Sequence, residues 1–192
     1  MQYRDFIKCL EANPVIASIS DDLWNKAIDS PAQVIFYLSA NILTIEKRVT
    51  AAHEAGKILL VHADLAEGIG KDSSRIKFLQ KCGVDGIIST KAHMIKLAKE
   101  YDMITIQRTF LFDTKGVESI SDVVKSTAPH FLEIMPGVIG KEIIRFSKGP
   151  TPVIAGGLIE EKVEVTRALC CGAIAVSTGK QELWFAGDYL SI

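Results

Sequence analysis

The sequence predicts a single α/β domain over residues 1–192, folded as a TIM-type (β/α)8 barrel, and three observations carry that prediction. Eight short apolar runs recur at intervals of about twenty residues. The segments between them place apolar residues at helical spacing. Several runs, ILLV above all, are apolar on both alternations, which is the pattern of a parallel sheet covered on both faces. Eight strand–helix units in series, without a linker, close as a barrel near the short end of that fold's size range. An open doubly wound sheet is the alternative. It usually has fewer strands and a glycine-rich loop after the first, where this chain reads SISDD.

The elements follow in order. The first strand is PVIAS (14–18) and the second VIFYL (34–38). Ile42, Ile45, Val49 and Ala52 then share a helical face, and Gly56 leads into the third strand, ILLVH (58–62). GIIS (86–89) follows Gly83, and Met94, Leu97 and Ala98 mark the helix before MITIQ (103–107). FLEIM (131–135) and PVIA (152–155) come next, and Gly172 introduces AIAVS (173–177). Gly56, Gly83 and Gly172 stand where helix gives way to strand, the position at which glycine accepts a left-handed backbone.

Composition narrows the function classes. The chain of 192 residues is 48% hydrophobic and 23% charged, enough to bury a sizeable core without a disulfide or metal staple. A formal net charge of -1 shows no overall basic excess, although a local basic face remains open. Cys9, Cys82, Cys170 and Cys171 have no zinc-type spacing and read as buried small hydrophobes of a reducing cytoplasm. The N-terminal MQYRDFIKCLEANP has no apolar signal core, and no run approaches the ~18 apolar residues of a membrane span. The expectation is a cytoplasmic protein with no metal and no membrane partner.

Function in a barrel gathers at the C-terminal ends of the strands. After the seventh strand stands Gly156-Gly157, and after the eighth Ser177-Thr178-Gly179, followed by KQELWF, which can open a short helix. Bare backbone N–H groups, two hydroxyls and a helix N-terminus there form a phosphate site in which glycine lets the loops approach the anion closely. A tight turn is the plainer reading of the pair. The third strand ends in His62 and Asp64, of one parity. Asp64 reads as a partner for ligand hydroxyls, or with His62 as part of a buried polar network. Lys91 ends the fourth strand, as a Schiff-base or anion-holding lysine or simply a solvated one. Arg108 on the fifth strand and Glu133 on the sixth can pair across neighbouring strands. Asp64 and Glu133 are acid–base candidates, so a small isomerase or aldolase acting on a triose or sugar phosphate is one reading. Against it, strand one ends in Ser18-Ile19-Ser20 where an isomerase of the triosephosphate type wants a lysine, and Glu133 stands where a deoxyribose-phosphate aldolase wants one.

The segments HADLAEGIGKD (62–72), GIISTKAHMIKLAKE (86–100), TIQRTFLFDT (105–114), EIMPGVIGKEI (133–143), VIAGGLIEEKVEV (153–165) and AVSTGKQELW (175–184) together resemble the glycerol uptake operon antiterminator regulatory proteins. The resemblance runs through nearly the whole chain and is weakest before about residue 55. One departure is Gly179, where that family often carries a second serine. The resemblance implies a regulator and not an enzyme, with glycerol 3-phosphate as effector, no cofactor, and the leader mRNA of glycerol-utilisation genes as partner. It puts the phosphate on Gly156, Gly157, Ser177 and Thr178, with the N–H of Gly179 beside them. The glycerol hydroxyls then fall to Asp64, Arg108 and Glu133, with Lys91 as a further contact. It leaves room for a homo-oligomer or a protein partner.

No RNA-recognition module is visible in the chain. The basic face best spaced for RNA is Lys141, Arg145 and Lys148 on the helix after strand six, and Arg75, Lys77 and Lys81 form a second. Both also read as solvated helix faces. Phe110 and Phe112, after strand five, can stack on bases or pack into the barrel top.

Overall fold

The computed structural model describes residues 2–70 and 73–185, with the backbone alone at 114–115. Residues 1, 71–72 and 186–192 of the predicted domain lie outside the described residues, and Lys71 and Asp72 of the first quoted motif with them. Eight parallel strands form a closed barrel in sequence order: β1 (Val15–Ile19), β2 (Val34–Tyr37), β3 (Ile58–His62), β4 (Gly86–Ser89), β5 (Ile104–Phe110), β6 (Phe131–Met135), β7 (Val153–Gly156) and β8 (Ala175–Thr178). Helix α1 (Tyr3–Ala12) precedes them, and the strands are followed in turn by α2 (Trp24–Asp29), α3 (Ile45–Glu54), α4 (Ser74–Lys81), α5 (Ala92–Glu100), α6 (Thr114–Thr127), α7 (Gly140–Ser147), α8 (Lys162–Cys170) and α9 (Gln181–Phe185). The predicted fold and all eight strands are present.

Two apolar cores flank the sheet. Inward residues of one parity, among them Ile16, Phe36, Leu60, Ile106, Phe131 and Ile154, fill the barrel. Residues of the other parity, such as Ala17, Ile35, Leu59, Val61, Ile134 and Val176, pack under the helices. Both parities are therefore buried, and the continuous apolar runs follow from that. Gly56, Gly83 and Gly172 have φ of 70°, 85° and 100°, as their positions after helices predict.

Helix ends are set by local chemistry. The Asp113 carboxylate accepts from Gly116 N–H at 2.7 Å and opens α6. Glu164 reaches back to the N–H groups of Glu160 and Glu161 in a capping box that opens α8. Ile42, predicted on the face of the second helix, instead lies in the loop before α3 and is exposed. The reason is an Asx turn: Asn41 Oδ1 accepts from Leu43 N–H at 2.9 Å and delays the helix to Ile45.

Helix α1 is an element that the apolar-run reading passed over. Its Phe6 and Leu10, one turn apart, join the interior cluster beside the first residues of β2, β3, β5 and β6. Phe6 stacks obliquely on Phe131 with centroids 5.0 Å apart. The N-terminal end of the barrel is thus plugged by a helix, and its C-terminal end is left for function. The cysteines correct an expectation: Cys170 is exposed, while Cys9, Cys82 and Cys171 are half-buried. All four sit on helices or at helix ends, and the three half-buried ones pack against the edges of the two cores.

Candidate functional site

Register brings the polar strand ends together. Arg108 on β5 pairs with Glu133 on β6, and Gly156 on β7 pairs with Ser177 on β8. Arg108 Nε donates to Glu133 Oε2 at 2.5 Å and Nη2 to Oε1 at 3.2 Å, a two-pronged ion pair in which Arg108 is 7% and Glu133 0% exposed. Ser177 Oγ donates to the same Oε1 at 2.6 Å. One buried carboxylate therefore fixes both the guanidinium and the hydroxyl, and the predicted cross-strand pair is formed.

The glycine pair divides into two roles. A Cβ on Gly156 would lie 2.6 Å from both Glu133 Oε1 and Ser177 Oγ, two atoms already bonded to each other. Gly156 is bare to seat the protein's own carboxylate, which corrects the expectation that it opens space for a ligand. Gly157 has φ of +72°, and its N–Cα–C segment turns the chain from β7 into the rim of the mouth.

Above the Arg108–Glu133–Ser177 cluster the mouth holds a cavity of about 390 Å³. Gly157, Ser177, Thr178 and Gly179 line it, and Gly156 does not. Arg108 and Ser18 line it too, with Leu38 and Met135 as apolar wall, and Lys180 stands at the edge. Lys180 Nζ is 3.5 Å from Glu160 Oε1 in an exposed pair across the entrance. The Thr178 hydroxyl, predicted to face phosphate, donates to Ile159 O at 2.7 Å and accepts from Lys180 N–H at 3.1 Å. Strand alternation explains this: Ser177 points in, so Thr178 points out. Trp184 of α9 donates its indole N–H to Thr178 O at 2.8 Å and anchors the short helix that the sequence predicts there.

Asp64 sits beyond β3 in a single tight turn and is occupied by its neighbours. It accepts from Ser89 Oγ at 2.7 Å and from the N–H and hydroxyl of Thr90, each at 2.8 Å. Burial opposes its charge, but these three donors outweigh burial and hold its pKa below the usual carboxylate value. It ties the end of β3 to that of β4. Lys91 is exposed at the start of α5 and is not among the residues lining the mouth cavity.

His62, the last residue of β3, is 4% exposed and has the parity of Ile58 and Leu60, so it faces the barrel interior. Burial, and then the Arg108 charge, push its pKa down, against the pull of Asp64 and Glu133. Burial and the Arg108 charge both favour the uncharged ring.

The two basic faces fare differently. Arg75 is 3% exposed, with its guanidinium donating to the carbonyls of Gly70, Ala63 and Ile69. It props the loop between β3 and α4 and is unavailable to a partner, which corrects its place in an outward basic face. Lys141 and Arg145 are exposed on α7 and share Glu142, at 3.9 and 3.7 Å. Lys148 follows as the C-cap of that helix. Phe110 and Phe112 do not pack into the barrel top. Their rings stack on each other at 5.8 Å, and Phe112 is 86% exposed. Phe112, Lys141 and Arg145 line one groove of about 350 Å³ between the β5–α6 loop and α7. That juxtaposition was beyond sequence reading, because a whole helix and strand separate these residues in the chain and they meet only through the turn after β6.

Among the described residues, no group of three His, Cys, Asp or Glu is placed to hold a metal ion. None of their helices is long and apolar enough to cross a membrane.

Comparison with known proteins supplies the family. Residues 15–184 match the model of the glycerol-3-phosphate responsive antiterminators. The chain is 37% identical over 178 residues to the uncharacterized protein YgcP of Escherichia coli K12, covering 91% of this chain and 93% of that one. A glycerol uptake operon antiterminator regulatory protein of Listeria monocytogenes superposes with a TM-score of 0.85 at 32% identity, over 90% of this chain and 95% of that one. An antiterminator-related protein of Thermotoga maritima gives 0.80 at 29% identity, over 88% and 96%. An aldolase, with a TM-score of 0.73 at 11% identity, shares the fold alone. The barrel, the order of its strand-end motifs and the match over nearly its whole length make one statement: this chain belongs to the glycerol-3-phosphate responsive antiterminator family.

Proposed function

We propose that this chain is an effector-gated RNA-binding regulator: glycerol 3-phosphate enters the mouth cavity, and the loaded protein acts on the leader mRNA of glycerol-utilisation genes in the cytoplasm. The observation that carries the ligand half is the mouth cavity, in which Gly157, Ser177 and Gly179 stand beside the Arg108 guanidinium in a member of this family. The phosphate sits against the backbone of Gly157 and Gly179 and the Ser177 hydroxyl, and Lys180 closes over it. The glycerol part turns inward toward Arg108. Glu133 and Asp64 hold Arg108 and the β4 end in place and do not touch the ligand, and Lys91 remains outside.

A small phosphate-handling enzyme is the competing reading. Both of its acid–base candidates are largely occupied by internal donors: Glu133 accepts from Arg108 and Ser177, and Asp64 from Ser89 and Thr90. With most of their roughly four lone-pair sites taken, both carboxylates read as structural ties, which favours the regulator.

For RNA, the groove that Phe112 shares with Lys141 and Arg145 is the surface we assign, with Phe110 stacked on Phe112 and Lys148 capping the same helix. Stacked, exposed aromatics beside guanidinium and ammonium groups suit unpaired bases and their phosphates. Phe110 lies two residues beyond Arg108 on the same strand, so a ligand that moves Arg108 moves the edge of this groove. A ligand shifts such an equilibrium only as far as it prefers one state.

The test is a titration of leader RNA with the protein, with and without glycerol 3-phosphate, at two salt concentrations. Tighter, salt-sensitive binding with ligand is expected, and Lys141→Ala with Arg145→Ala lowers the log–log salt slope by about 0.7 for each RNA phosphate that is no longer neutralised. Ligand binding with no RNA binding at either salt would sink the RNA half. It would then move the protein-partner and enzyme readings forward.

A further inference from the structure

His62 faces the barrel interior beneath the mouth cavity without lining it, and its chemistry is left idle by the proposed ligand site. It stands at the C-terminal end of β3, on the inner wall, across the barrel from β7 and β8 where the phosphate is placed. The residue is 4% exposed, and its Nδ1 is buried without a hydrogen-bond partner. Buried polar atoms are almost always paired, so an orphan of this kind calls for a partner that arrives from outside. The surroundings say what kind. Arg108, Asp64 and Glu133 are near enough to act on the ring. Asp64, Glu133 and Ser89, the nearby acceptors and hydroxyl, are bonded elsewhere. A further anion is disfavoured beside Glu133 and Asp64, and a cation beside Arg108. The vacant valence suits a neutral hydroxyl.

Resting on the proposed glycerol 3-phosphate site, we infer that His62 Nδ1 bonds a hydroxyl of the glycerol moiety and is the residue that distinguishes the polyol phosphate from phosphates lacking that hydroxyl. The phosphate loops alone accept many phosphate esters. A ring nitrogen left unpaired by a ligand without the hydroxyl makes that ligand bind more weakly, because the desolvation of Nδ1 is then uncompensated. His62 therefore acts as the selectivity contact, and Gly157, Ser177 and Gly179 as the general phosphate grip.

Calorimetric titration of the full chain tests this with three ligands: glycerol 3-phosphate, 3-hydroxypropyl phosphate, which lacks the secondary hydroxyl, and 2-hydroxypropyl phosphate, which lacks the primary one. The wild-type protein is expected to prefer glycerol 3-phosphate over one of the two analogues by roughly ten- to a hundredfold. His62→Leu brings that ratio close to one, whereas His62→Asn, which keeps a polar atom near the place of Nδ1, retains part of it. A purely structural histidine would weaken all three ligands together and leave the ratio at its wild-type value, and that result overturns the inference. Ring ¹⁵N resonances of the wild-type chain, with four histidines to assign, give a measurement independent of whether a variant folds. The His62 Nδ1 signal is expected to shift with glycerol 3-phosphate and not with the disfavoured analogue. Equal affinity of the wild-type protein for all three ligands refutes the role of His62 and leaves the site intact. No binding of glycerol 3-phosphate at all removes the site itself.

Discussion

Glu133→Ala removes the carboxylate on which Arg108 and Ser177 converge and leaves a guanidinium that is 7% exposed facing an apolar wall. Breaking a buried ion pair from one side costs about 3–5 kcal/mol, because the remaining charge is desolvated without compensation. Arg108 lines the open mouth, so water reaches it after the substitution, and the lower end, about 3 kcal/mol, is the appropriate value. For a chain of this size each kcal/mol moves Tm by about 2–4 °C, giving a fall of about 6–12 °C. Thermal unfolding followed by circular dichroism measures it. Two companion experiments separate the charge from the cavity. Adding Arg108→Met to Glu133→Ala removes the lone charge and is expected to restore about half of the fall in Tm. Millimolar phosphate, entering the mouth as a replacement anion, raises Tm of the single variant more than that of the double. A fall below about 2 °C, or a double variant less stable than the single, would refute the idea that Glu133 is there to hold Arg108.

Four further outcomes follow from the structure. Gly156→Ala forces a methyl between Glu133 Oε1 and Ser177 Oγ and is expected to cost about 1–3 kcal/mol in urea unfolding. Gly157→Ala meets only the flexible Met135 side chain, most closely its terminal methyl, so its cost is mainly the left-handed backbone, about 1–2 kcal/mol, and it spares the Glu133 cluster. Arg75→Ala strips three loop carbonyls of their donor and should lower stability by about 2–4 kcal/mol; a loss under about 0.5 kcal/mol would return Arg75 to the surface. His62 and His130 both have pKa values below the ordinary 6.5, from burial first and then from Arg108 and Lys99 respectively. The unfolded chain binds protons that the folded chain refuses, so this stability is full above about pH 6.5 and lost as pH falls through the window beneath it. Urea midpoints at pH 7.5, 6.5 and 5.5 should decline, with a shallower slope in His62→Asn and His130→Asn; an unchanged slope in both refutes the assignment.

What the sequence disclosed is what periodicity encodes. Eight runs buried on both faces leave no polar stripe, and their spacing leaves room for one helix each, so the barrel was legible from ILLV and its counterparts. The Arg108–Glu133 pair was legible as well, because equal depth on consecutive strands puts two such residues side by side. Side-chain commitments were not. Thr178 and Ser177 are adjacent hydroxyls in sequence, and only alternation at the true strand boundary sends one to the cavity and the other to Ile159. Arg75 reads as one more surface cation at helical spacing until its guanidinium is seen folded under three carbonyls. Gly156 looks like a ligand glycine because nothing local shows that Glu133, 23 residues earlier, already fills the space above it. Helix α1 escaped because it follows no strand. Its signal, Phe6 and Leu10 on one face of an otherwise charged segment, was present and short.

The plug formed by α1 also fixes a sequence of events in time. With Phe6 and Leu10 sealing one end and the interior packed solid, traffic into and out of the barrel is confined to a single doorway. Whatever settles across that doorway while the barrel is loaded must depart before the occupant can. Under the proposed function, a partner seated there would make dissociation ordered and would set the lifetime of the loaded state. A tunnel open at both ends would let the occupant leak away beneath its cover; a vessel with a closed base holds the signal for as long as the lid stays on.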